Sequence, residues 1–266
     1  GLIGQNAAVE IDGVAYWMSP NGFFLFDGTV KSLECSVEDY VYDDLESTKG
    51  QQINCGLNNL YTEVVWYYPA SGQNFNNRYV VYNYGETASS KATIWYTGNE
   101  ARTTWLDASV YPKPYATKYD SSTNGSFPAV RGITGLGGTT IFEHETGTDQ
   151  VNADGSKTTV TSFAKSFDFD IKTEETDGEF FLSLKRFIPD FKNLQGNAKL
   201  TLAVKRFPSQ SSTNTALSPF TITSTSLKFD TRARGRYANI KIENDAVSET
   251  WRFGTINLDL RPDGRR

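Results

Sequence analysis

Short runs of aromatic and β-branched residues, broken by Pro, Gly, Asn and Asp, dominate the first half of the chain. VAYWM leads through SPNG to FFLFDG, and further on come EVVWYYP, the polar stretch SGQNFNN, RYVVYNYGE and ATIWYT. Strands paired across tight turns have this pattern, because aromatic and β-branched side chains fit a pleated surface and the turn residues accept the backbone angles of a reversal. Trp17 and Trp66 stand about one blade repeat of 40–50 residues apart, which predicts a propeller-like β-meander over residues 1–150. AVRGITGLGGTTIFEHE supplies a third, looser unit. Propellers close with about four to eight blades, so either the set of blades here is incomplete or the meander packs in another way.

Between the first two units lies SVEDYVYDDLE, read as one short helix near 36–46. Ser36 followed by Asp39 resembles a capping box, and Val37, Tyr40, Val41 and Leu45 fall on one helical face, leaving the acids as its solvated side. After Gly155 the alternation is cleaner. In AKLTLAV, Leu200, Leu202 and Val204 face one way while Lys199, Thr201, Ala203 and Lys205 face the other. SPFTITSTSLKF, YANIKIE and TWRFGTINLDL read as further strands, and short strands with one apolar face predict a β-sandwich over residues 156–266. The boundary is expected within 147–157. The fold class is therefore all-β.

Composition agrees: 14% aromatic and 38% hydrophobic, with no long helical run of Ala, Leu, Glu and Lys. No stretch approaches the roughly 18 consecutive apolar residues of a membrane span, and GLIGQNAAVEID carries no signal for secretion. The start at Gly1 raises the expectation of a processed product or a segment of a longer protein. Charge divides unevenly: residues 1–155 carry 8 Lys+Arg against 18 Asp+Glu, and residues 156–266 carry 18 against 13. Such asymmetry suits an assembly whose acidic and basic surfaces meet, or a surface facing a polyanion. Cys35 and Cys55 are too few for a zinc site or a disulfide framework, so two reduced, packed thiols are expected, with a single disulfide as the alternative.

Enzyme signatures are scarce. The chain has one histidine and lacks HExxH, a Walker loop and GxSxG, so no catalytic residue, metal ligand or cofactor is assigned. His144 stands between Glu143 and Glu145, but neighbours on a strand point to opposite faces, which argues against a local triad. QVNADGS resembles a calcium loop, yet Gln150 and Thr161 occupy the positions of its first Asp and its bidentate Glu, so it reads as a turn. Trp66, Tyr67, Tyr68, Tyr82 and Tyr84 could stack on sugars, although alternation explains half of them as core. Paired carboxylates for glycoside hydrolysis depend on a three-dimensional separation.

The most unusual stretch is KFDTRARGRY. On one unbroken strand Arg232, Arg234 and Arg236 would share the apolar face of Ala238, Ile240 and Ile242, and burying three unpaired guanidiniums is prohibitively costly. A bend or bulge at Gly235 is therefore expected, releasing the arginines to a sheet edge or subunit junction.

Taken in order, FFLFDGTVKSLECSVEDYVYDDL, RYVVYNY, TTWLDA around Trp105, IFEHETG, SFDFDI, RFIPDF, DTRARGRY and WRFGTINLDLRPDGRR resemble the C-terminal part of tail hub or nozzle proteins of short-tailed bacteriophages. The resemblance runs over most of the chain. It implies a propeller joined to a β-sandwich platform, and a structural virion protein rather than an enzyme. It further implies a homo-hexameric ring in the virion tail, assembled in the host cytoplasm below the portal and head-tail adaptor. Tail fibres or spikes would anchor to that ring, and phage DNA would pass through it without sequence-specific binding. On this reading Arg232, Arg234, Arg236, Arg252, Arg261, Arg265 and Arg266 contact carboxylates of a neighbouring subunit, the alternative being salt bridges within the chain that have no role in assembly. The alternatives are a glycan-binding or glycan-cleaving β-protein of a receptor-recognition apparatus, and a tail-tube ring protein of a long-tailed phage.

Overall fold

The computed structural model describes residues 1–109, 111–124, 137–152, 155–171, 180–207, 219–244 and 246–264, with the backbone alone for 120–124 and 137–138. The chain divides into two compact units, Gly1–Thr146 and Gly147–Arg266. Both are built mostly of antiparallel sheets, and among the described residues no sheet closes on itself. No helix among them is long and apolar enough to cross a membrane.

In unit 1, β1 (Ala8–Ile11), β2 (Val14–Ser19), β3 (Gly22–Phe26) and β4 (Val30–Leu33) form a four-stranded sheet in chain order. Asp12 and Gly13 join β1 to β2 at φ 51° and 81°, the pair of left-handed residues that a tight two-residue hairpin uses. After the helix α1 (Glu38–Asp44) comes a second sheet in chain order: β5 (Asn54–Asn58), β6 (Glu63–Tyr68), β7 (Arg78–Asn83) and β8 (Ile94–Gly98). The two sheets share one core, in which Met18 and Phe23 meet Val64, Trp66, Tyr68 and Trp95, with Val41 of α1 and Ile53 beside them. The Phe23 ring lies 5.1 Å from Trp66 and 4.8 Å from Trp95. Both indoles find acceptors, Trp66 Nε1 donating to the Ala7 carbonyl at 3.0 Å and Trp95 Nε1 to the Glu34 carbonyl at 2.7 Å. Burial therefore strands neither N–H.

The second sheet is covered on both faces. Val64, Trp66 and Tyr68 face the shared core, while Val65, Tyr67 and Val81 enter a smaller cluster with Tyr79 and Trp105. EVVWYY is consequently a continuous apolar run rather than an alternation. Trp66, Tyr67, Tyr68 and Tyr82 are all buried and Tyr84 is half-buried, so more of these rings are core than alternation alone predicts. Cys35 and Cys55 are unbonded and half-buried against the shared core.

Two helical details differ from expectation. α1 is capped at Val37 without a side-chain hydrogen bond, so the Ser36–Asp39 capping box does not form. Tyr40 is exposed, and Tyr42 packs instead, its hydroxyl donating to the Ser19 carbonyl at 2.6 Å. A second helix, α2 (Tyr84–Ser89), follows β7 where the pattern reads as strand. Asn83 caps it by accepting from the Glu86 N–H at 2.7 Å, and this local bond outcompetes further pairing. A three-stranded sheet completes unit 1, β10 (Tyr115–Asn124) lying between β9 (Thr104–Leu106) and β11 (Gly137–Glu143). The start of the third meander unit, 129–136, lies outside the described residues.

Unit 2 opens with a hairpin of β12 (Asp149–Val151) and β13 (Lys157–Thr159), with Ala153 and Asp154 of the calcium-like turn outside the described residues. β14 (Phe163–Lys165) and β15 (Leu182–Gln195) follow, then β16 (Ala198–Lys205), β17 (Phe220–Ile222), β18 (Phe229–Gly235), β19 (Tyr237–Glu243) and β20 (Thr250–Pro262). One sheet runs β14-β19-β16-β17 and the other β18-β15-β20. They share a core of Leu182, Leu184 and Phe187 with Leu200, Leu202, Ala238, Ile240 and Ile242. β17 ends at Ile222, earlier than the alternation of SPFTITSTSLKF suggests. Thr223 N–H donates to Ser226 Oγ and Ser226 N–H to the Thr223 carbonyl, both at 3.0 Å, closing a turn in place of more strand.

Candidate functional site

Two regions concentrate polar chemistry, one in each unit. In unit 2 the chain changes sheets within the arginine stretch. β18 ends at Gly235 and pairs with β15, whereas β19 starts at Tyr237 and pairs with β14 and β16. Burial changes parity across the join: Ala233 and Gly235 are buried before it, Ala238, Ile240 and Ile242 after it. That switch puts Arg232 and Arg234 on the outer face, exposed, and leaves Arg236 half-buried between strands. A Cβ on Gly235 would stand 2.8 Å from Val204 Cβ and 3.0 Å from the Lys205 carbonyl oxygen, so only glycine lets the strand pass this close. The Arg236 N–H donates to that same carbonyl at 2.8 Å.

The outer face of β18-β15-β20 is lined with charge. Arg186 stands opposite both Asp230 and Asp259, and its Nε donates to Asp230 Oδ1 at 2.7 Å. Arg234 and Arg261 flank Ser183 across the sheet. Arg234 Nε donates to Asp263 Oδ2 at 2.6 Å, and Arg261 Nε to Asp259 Oδ1 at 3.3 Å. The guanidiniums of Arg234 and Arg236 lie over the Phe181 ring at 4.3 and 5.2 Å. Arg252, opposite Lys192, is nine positions from Arg261, up to about 30 Å along extended strand, so it is not brought into this group. Arg232 and Arg252 are exposed and make no ion pair among the described residues. Arg265 and Arg266 lie outside the described residues.

In unit 1 the second face of the β5–β8 sheet floors a pocket of about 110 Å³. The antiparallel register aligns Asn58 with Glu63, Val65 with Val81 and Tyr67 with Tyr79, so these side chains share one face. Two glycines make room for the aromatic walls. A Cβ on Gly56 would fall 2.2 Å from Trp105 Cδ1, and one on Gly98 2.3 Å from the Tyr79 ring. Trp105 Nε1 is anchored on the Leu57 carbonyl at 2.6 Å.

Three carboxylates converge on this pocket. Asn58 Nδ2 donates to Glu145 Oε1 at 2.8 Å and to Glu63 Oε2 at 3.3 Å. Glu63 also accepts from the Tyr96 hydroxyl. Burial pushes the Glu63 carboxyl upward, and the Glu145 charge adds to that, against the hydrogen bonds from Tyr96, Asn83 and Asn58. Glu100 is likewise raised by burial but pairs with Arg102. Arg102, itself buried, donates through Nε to His144 Nε2 at 2.7 Å. Burial first and the Arg102 charge second bring the His144 pKa down to about 4.

His144 and Glu145 both line this pocket, contrary to the expectation that strand neighbours diverge. β11 ends at Glu143, and Glu145 turns the chain at φ 56°. The pocket itself is hard to see in the sequence, because Glu63, Val65 and Tyr67 are interleaved with core residues in one apolar run. The one signal for it is the glutamate that opens EVVWYY.

Among the described residues no group of three or more His, Cys, Asp and Glu is arranged to hold a metal ion. Compared with known proteins, the chain matches no family model and no curated protein.

Proposed function

We propose that the chain is a structural subunit of a bacteriophage tail, a hub or nozzle protein that assembles with copies of itself into a ring, hexameric in the related arrangement, through which DNA passes. The observation that carries the reading is the order of elements beneath the ordered motifs. Two four-stranded antiparallel meanders, β1–β4 and β5–β8, have the strand number and chain-order connection of propeller blades. A unit of two sheets around one core follows, as a β-sandwich platform requires. The charged outer face of β18-β15-β20 offers candidate ring-forming groups: Arg232 is exposed for a carboxylate of a neighbouring copy, whereas Arg234 and Arg261 each hold a carboxylate of their own chain through Nε.

Cryo-EM of the tail of particles containing this chain, with symmetry tested rather than imposed, checks the proposal. Six copies around a DNA-sized channel with Arg232 at a subunit junction is the expected result. Density for the chain outside any ring would overturn it.

Glycan binding is a second reading, favoured by the pocket in unit 1, where aromatic rings and carboxylates meet. That reading rests on the lining of this one pocket, of about 110 Å³, whereas the ring reading draws on the elements of both units. The ring reading therefore stands first.

A further inference from the structure

We infer that unit 1 self-associates head to tail, the outer face of the β9–β11 sheet of one copy docking on the outer face of the β1–β4 sheet of the next. Three sheets lie in series in this unit. The β1–β4 sheet shares the main core with β5–β8, and the other face of β5–β8 is closed by the β9–β11 sheet, where the Trp105 ring lies 5.8 Å from Tyr67. The series therefore has two open ends, and both are apolar.

At the first end, the antiparallel register puts Ala15, Trp17, Phe24, Phe26 and Val30 on the face turned away from the core. Trp17 and Phe24 stack at 5.8 Å, and Phe26 and Val30 are 44% and 65% exposed. Among the described residues Glu10 is the one charge that these strands place on that face. VAYWM and GFFLF are thus apolar on both sides, as in strands covered on both faces rather than in a sheet that faces water. At the other end, Leu106, Tyr115 and Ile141 share the face opposite to Trp105. Ile141 is 70% exposed, and Tyr111 packs edge-on against Tyr115 at 5.1 Å. Glu143, the carboxylate on this face, meets Lys113 Nζ at 3.7 Å.

A second copy is the occupant that fits. The inner faces of the series are each closed by another antiparallel sheet, and the chain carries one open face of each kind. Head-to-tail contact covers both, whereas a two-fold dimer of like with like leaves the other face of each copy open. Charge favours the same faces. Residues 1–155 carry 8 Lys+Arg against 18 Asp+Glu, so two copies of this acidic half repel except where they meet on surfaces nearly free of net charge. Aromatic side chains with few charges among them are also what the core of a protein interface is made of. The contact names a second surface for the assembly proposed above: it shares the premise that copies associate and uses none of the arginines of unit 2.

Sedimentation equilibrium of the full chain, from micromolar concentrations upward, tests it. Species larger than the monomer are expected, and added salt should strengthen them by screening the repulsion between acidic halves. Phe26→Glu on one face, with Val30→Glu as a second variant at a more exposed position, and Ile141→Glu on the other should each weaken association at least tenfold, with the melting temperature of the monomer kept within a few degrees. An equimolar mixture of Phe26→Glu and Ile141→Glu keeps one intact contact, so it should form a one-to-one dimer that neither variant forms alone. A parent chain that stays monomeric, undiminished association in the variants of either face, or a mixture that stays monomeric would overturn the assignment. A dimer that survives Ile141→Glu but not Phe26→Glu would overturn it in favour of a like-with-like contact. Because the readout is the mass of the free chain in solution, this contact can fail while the ring stands in the tail reconstruction, and the reverse.

Discussion

Arg102 Nε donates to His144 Nε2 at 2.7 Å, so the imidazole is an acceptor there and carries its proton on Nδ1. Protonating it would set N–H against N–H beside a guanidinium inside a largely buried site. His144 is therefore neutral throughout the physiological range.

A pH dependence of stability follows. The folded pKa, about 4, lies below the ordinary value of 6.5, so between these values the unfolded chain binds the proton more readily. The contribution is complete above pH 6.5 and is lost as pH falls toward 4. His144→Gln keeps an acceptor for Arg102 and removes the titration. Denaturation of both proteins across pH 4 to 7 should show the parent losing about 3 kcal/mol more than the variant. Parallel curves would refute the assignment.

Gly56→Ala should dislodge Trp105, since the new methyl would overlap the indole at 2.2 Å from Cδ1. Overpacking of this kind costs about 1–3 kcal/mol. The indole also leaves the Leu57 carbonyl, so a red shift of tryptophan emission should accompany the loss of stability. Alanine at Gly72, where a Cβ meets nothing within 4 Å, should leave the emission unchanged, its φ of 74° costing about 1–2 kcal/mol through backbone strain alone.

Arg234→Ala separates folding from assembly. The Arg234–Asp263 pair is exposed, and such pairs contribute about 0–1 kcal/mol. Unit 2 should keep its melting temperature within a few degrees, and a fall in ring yield would then report an intersubunit role. Gly235→Ala should act differently, lowering stability directly through the clash with Val204. If both variants melt like the parent and assemble like it, these residues have no part in the proposed ring.

Thiol reactivity should be low in the native protein. Burial raises Cys35 to about 12 and Cys55 well above its ordinary value. Since the thiolate is the nucleophile, an aromatic disulfide reagent at pH 8 should react slowly with both until denaturant is added, then release two equivalents. Fast reaction of the folded chain would contradict the burial of these groups.

Strand content, the aromatic hairpins and the need to interrupt KFDTRARGRY were legible in the sequence, because they rest on local rules: alternation, turn residues and the cost of a buried guanidinium. AKLTLAV behaves as its pattern says, with Leu200, Leu202 and Val204 buried. Local rules also mislead where two local bonds compete. Asn83 starts a helix and Thr223 closes a turn, in each case because a side chain offers the backbone an alternative to the ladder.

Tertiary structure alone decided the partners. EVVWYY does not reveal that Trp66 joins the main core while Glu63 and Tyr67 floor a pocket, since both faces of β6 are covered. Asn58 and Glu145 lie 87 positions apart and meet only because β5 and the end of β11 close on one another. The sheet change at Gly235 was foreseeable as a necessity, yet the pairing of Arg234 with Asp263 depends on β18 and β20 flanking β15. Alternation is a property of one strand and is written in its residues. Which charge finds which counter-charge is a property of how strands are brought together, and long-range packing sets that.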